Sequence, residues 1–181
     1  MTNSAAVRIC KAVRRYAGCS LDHRRDELAT LVARGVDDPD QAVLWRTNCG
    51  TFALGILHEV GLYDDLLRSP YRIGFAITWL ETIAKNLHVY AAWRPWDSWT
   101  VLRPGMLLRY CSPGKANDHV EWLLDNPDKL GTALHGGGGR PRNAITVASG
   151  TIQSNAGRPL VCYYDFPSAL EAEEAYPHDS T

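Results

Sequence analysis

The chain changes its hydrophobic period once, and that change constrains the fold more than any other feature. Up to the tryptophan-rich stretch "AAWRPWDSW", apolar residues recur every three or four positions. From "RPGMLLRYC" onward they gather in short runs between turn residues. The first pattern predicts helices over residues 7–16, 26–34, 49–60 and 75–88, with "GVDDPDQ" as a polar break. The second predicts four or five strands, over 106–111, 119–124, 132–135, 144–148 and 160–164, in a small antiparallel sheet. Helices followed by strands, rather than alternating with them, make an α+β domain with N-terminal helices packed on that sheet. The three tryptophans Trp93, Trp96 and Trp99 read as a packed hinge between the two parts rather than a ligand platform. The four glycines of "HGGGGRPRN" read as a flexible loop or a close approach to a ligand. They are not a phosphate loop, because its Lys and Ser/Thr are missing.

With 181 residues the sequence suits one domain, assigned to residues 1–168, and the acidic stretch 169–181 is expected to fray. Lys plus Arg (19) nearly balance Asp plus Glu (20), so charge gives no reason to propose a nucleic-acid partner. The basic group Arg8, Lys11, Arg14, Arg15, Arg24 and Arg25 is offset by nearby acids and reads as a solvated helix face. No apolar run reaches the roughly 18 residues of a membrane span, and the N-terminus lacks the apolar core of a signal peptide. The expectation is a cytoplasmic protein with no membrane partner. Five widely spread cysteines do not form a disulfide framework and favour a reducing compartment. Cys10, Cys19 and His23 lack the CxxC-type pair and fourth ligand of a zinc site.

Cys49 stands at the seam between polar residues and the apolar row Phe52, Ala53, Ile56, Leu57 and Val60, so it opens a helix. Asn48 suits the N-cap and Gly61 the stop. A thiol in the first turn faces unpaired N–H groups and the positive end of the helix dipole, which favours a nucleophile. The same spacing also fits an inert thiol that starts a core face. His119, at the start of the second predicted strand, and His135, at the end of the next, become neighbours if those strands pair antiparallel. A nucleophilic thiol needs a base, and the base needs an orienting group. Cys49, His119 and His135 fit those roles. The remaining histidines His23, His58, His88 and His178 read as structural or exposed, and Cys111 and Cys162 as packing residues.

The order of the helix-initial cysteine in "NCGT", then "RPGMLLRY", "NDHVEWLL" and "GTALHGGGG", resembles the NlpC-type cell-wall peptidases and the related CHAP amidases, which share a papain-like fold. The resemblance covers about residues 45–140. By it, Cys49 matches the nucleophile, Pro104 and Gly105 the strand-opening turn, His119 the base and His135 the orienting residue. Asn143 is a rival for that last role, since an Asn orients the base in papain-like enzymes generally. The sequence departs from the family at Asn48 and Gly50 beside the nucleophile, at Met106 after the turn, and at Glu121, where the family has a small residue.

The resemblance implies a cysteine hydrolase that cleaves a peptide or amide bond through a thioester, with peptidoglycan stem peptides among its substrates and no cofactor. Backbone N–H groups near Cys49, helped by Asn48, are the expected oxyanion hole. Acting on a cell wall would require phage-type or other non-Sec release. Two other readings stand beside it. One is an inactive binding or structural protein on the same fold, motivated by the altered "NCGT" and by Glu121. The other is a metal site built from Cys49, His119 and His135, which are competent zinc ligands.

Overall fold

The computed structural model describes residues 4–19, 49–62, 76–112, 118–139 and 144–175. Within them lie four α-helices: α1 (Ala5–Arg15), α2 (Cys49–Glu59), α3 (Ala76–Asn86) and α4 (Phe166–Ala175). The strands are β1 (Tyr90–Ala92), β2 (Leu107–Tyr110), β3 (His119–Leu123), β4 (Thr132–Gly139), β5 (Ala144–Thr151), β6 (Ser154–Asn155) and β7 (Arg158–Tyr164). The helix predicted over 26–34, His23, Asn48, Asn143 and His178 lie outside the described residues.

α1 forms because Ala5, Ile9, Ala12 and Val13 make one buried stripe, and Ser4 caps it by accepting from the Val7 N–H. α2 is different. The spacing predicts one apolar face, yet residues 52–57 are buried on every side, because α1, α3 and strands β3 and β4 all pack against this helix. It ends as the sequence predicts. Gly61 takes φ +85°, its N–H donates to the His58 carbonyl, and the Leu62 N–H donates to the Leu57 carbonyl, closing the last turn.

The sheet runs β1-β7-β2-β3-β4-β5 with every neighbouring pair antiparallel, and β6 pairs with β7 alone. Alternation along the strands builds a core on each face. Leu107, Val120, Trp122, Cys162 and Tyr164 turn toward the helices. Leu108, Tyr110, Leu123, Ala133 and Leu160 turn the other way, where Trp93 and Trp99 cover them. Those two indoles stack at 4.7 Å between centroids, so the tryptophan stretch covers the second core, while Trp96 is exposed.

Three expectations change. Among the described residues the sheet has seven strands rather than four or five, because β1 lies in what reads as connecting chain and β6 is only two residues long. The glycines 136–139 are not a loop but the second half of β4, paired with β5 from Thr132↔Thr151 to Gly139↔Ala144. The acidic C-terminal stretch does not fray through Ala175. Phe166, Pro167, Ala169 and Leu170 are buried in α4, Glu174 pairs with Arg8, and Arg103 bonds Asp165 and Ser168 at the helix start. Burial of the apolar residues outweighs the acidic surface that suggested a tail.

Candidate active site

Cys49 is the first residue of α2 and His119 the first of β3. There the Cys49 thiol acts on the His119 imidazole, favouring its charged form. Cys49 is a free thiol, 7% exposed. Entry into β3 is held by Arg109 on β2, whose guanidinium donates to Asp118 at 2.6 and 3.2 Å and also pairs with Glu81 of α3. This ties the residue just before His119 to the neighbouring strand and to a helix.

Glu121 occupies the centre of the site. Two residues beyond His119 on an extended strand, it projects to the same side. Its Oε1 lies 3.0 Å from His119 Nε2 and its Oε2 lies 2.5 Å from His135 Nδ1. Glu121 is buried, its side chain 8% exposed, and the two histidine side chains are half-buried at 13% each. Burial opposes charge on Glu121, but the hydrogen bonds from His119 and His135 outweigh it and bring the carboxyl from 4.5 down to about 2. Burial opposes charge on His119 as well, and its hydrogen bonds with Cys49 and Glu121 overcome it, raising the imidazole from 6.5 to about 9. At neutral pH the pair is therefore imidazolium and carboxylate. A carboxylate only accepts, so His119 Nε2 and His135 Nδ1 both donate, and the ring nitrogen of His119 left for the thiol is Nδ1.

The glycine run makes room for this. Trp122 pairs with Gly136 and Leu123 with His135, so Glu121 comes opposite Gly137. A Cβ on Gly137 would stand 3.3 Å from Glu121 Cγ and 3.0 Å from the Val120 carbonyl oxygen. A bare strand thus lets the glutamate lie across β4 between the two histidines.

The antiparallel pairing of β3 and β4 does bring the two histidines into one site, with Glu121 rather than His135 in contact with His119. His135 lies opposite Leu123, four residues along β3 from His119, and reaches it only through the carboxylate. Glu121 is the residue that sequence reasoning missed. Its signal was the i, i+2 spacing from His119, which places two titratable side chains on one side of a strand. Cys162 behaves as a packing residue, with burial pushing its thiol up to about 11. Cys10 is also raised by burial, and Cys111 is raised by its hydrogen bond with Asp118. Among the described residues, no group of three or more His, Cys, Asp or Glu could hold a metal ion, and no helix is long and apolar enough to cross a membrane. No family model, curated protein or solved structure matches this chain.

Proposed function

We propose that this chain is a cysteine hydrolase of papain-like architecture that cleaves a peptide or amide bond, with peptidoglycan stem peptides as the first substrates to test. The observation that carries the reading is the row Cys49, His119 and Glu121, with the thiol at the start of a buried helix, where it favours the charged form of an imidazole that lies 3.0 Å from a carboxylate. Nucleophile, base and orienting group are the three parts such chemistry needs.

In the reaction, Cys49 sulfur attacks the carbonyl carbon and the carbonyl electrons move to oxygen, where backbone N–H groups of the first turn of α2 face the charge. Collapse of this intermediate breaks the C–N bond, and the His119 imidazolium gives its Nδ1 proton to the departing amine. The neutral imidazole then takes a proton from water, which attacks the thioester. The C–S bond breaks, freeing the acid and restoring the thiolate and imidazolium. Glu121 keeps Nε2–H donated toward itself throughout, so Nδ1 is always the nitrogen that exchanges protons. Glu121, which departs from the family pattern and motivated the inactive reading, has a role in this account.

The test is hydrolysis of a panel of stem peptides and simple amides by wild type, Cys49→Ala, His119→Ala and the double variant. Each single change is expected to abolish turnover, with the double no worse than either. Wild-type-like turnover in either single variant overturns the assignment.

A further inference from the structure

We infer that His135 is a positioning residue that acts on the base through Glu121, holding the carboxylate against His119. This rests on the reading of His119 as the base. Glu121 has two oxygens and gives one to each imidazole, at 3.0 Å to His119 and 2.5 Å to His135. A glutamate side chain has three rotatable bonds, and opposite it β4 offers Gly137, which has no side chain to confine it. His135 supplies that confinement. Its Nδ1–H fixes Oε2, which leaves Oε1 turned to His119.

Its own position is set by β5. His135 pairs with Ala148, and its Nε2 lies 3.4 Å from where a Cβ on Gly150 would stand. Around the His119 and Glu121 pair, the ionisable groups include Cys49 from α2, Tyr110 from β2 and His135 from β4, with Asp118 just before His119 ion-paired to Arg109 of β2. On β5, Ala148 and Gly150 lie at His135, and neither is ionisable. Tyr110 stays neutral, since burial and the Glu121 charge both raise it. His135 is therefore the group that can fix the carboxylate without competing for the thiol.

Two substitutions of similar shape separate a donated hydrogen bond from mere bulk. Gln at 135 can donate an amide N–H to Glu121, whereas Met fills similar space and donates nothing. The experiment is an NMR titration of the His119 imidazole in the full-length protein carrying His135→Gln or His135→Met, beside wild type. His119 in wild type and His135→Gln is expected to lose its proton near pH 9. In His135→Met the midpoint should fall by at least one pH unit, a tenfold loss of proton affinity. Equal midpoints in the two variants, or a Gln variant as low as the Met variant, overturn the inference. A chain inactive on every amide but showing the Gln and Met difference would sink the hydrolase reading and leave this positioning intact. Full activity with no such difference would do the reverse.

Discussion

In the proposed mechanism Glu121 governs how the thiol is used, because a buried carboxylate against an imidazole keeps that imidazole charged. If His119 must deliver a proton, activity has an alkaline limit at its titration. kcat/KM is expected to fall tenfold per pH unit above about 9, as read from a pH–rate profile. Glu121→Gln keeps the shape but removes the charge. It should lower kcat/KM by roughly 100-fold or more and move that limit toward the ordinary value of 6.5, as expected when the orienting anion is lost. An unchanged limit in Glu121→Gln would mean that the carboxylate does not govern the base. In the sequence, Cys49 and the two histidines were legible because thiol, helix start and strand position are local signals. Glu121 was not, because a lone glutamate in a strand looks like a departure from a pattern until its partner two residues away is considered.

At the scale of elements, β4 and α4 show why composition misled. Four glycines carry no side-chain preference for a strand, and only pairing with β3 and β5 holds them extended. Gly137→Ala places a methyl against Glu121 Cγ and the Val120 carbonyl. It should cost about 1–3 kcal/mol in denaturant unfolding and lower kcat/KM about tenfold by shifting the glutamate. A variant as stable and active as wild type would show that the bare strand is not what accommodates Glu121. In α4 the acidic surface concealed the buried Phe166, Ala169 and Leu170. Leu170→Ala is expected to lose about 2–5 kcal/mol, where a frayed tail would lose nothing measurable. Helix positions were easier to read than strand extents, since a helix carries its own hydrogen bonds and period.

For the whole molecule, the placing of β7 between β1 and β2 is a long-range choice that no local period encodes. Helices before strands fixed the class, whereas strand order waited on packing. The same assembly sets how stability responds to acid. The Glu121 carboxyl is lowered by folding, so its contribution is present above 4.5 and is lost as pH falls through about 2. It amounts to roughly 3 kcal/mol, shared with the two histidines. Folding raises His119, so its share is complete below 6.5 and is lost as pH rises through about 9. Chemical unfolding at pH 2 and pH 7 should show a larger difference in wild type than in Glu121→Gln, and equal differences would contradict the linkage. The central claim is that Cys49 is activated by its place at the head of α2 and by His119. The most direct measurement is residue-resolved mass spectrometry after limiting iodoacetamide at neutral pH, on wild type and His119→Ala. Cys49 is expected to label faster than Cys10, Cys111 and Cys162 in the folded wild type and to lose most of that lead without His119. Cys49 labelling no faster than those thiols, or keeping its full lead in His119→Ala, would contradict this.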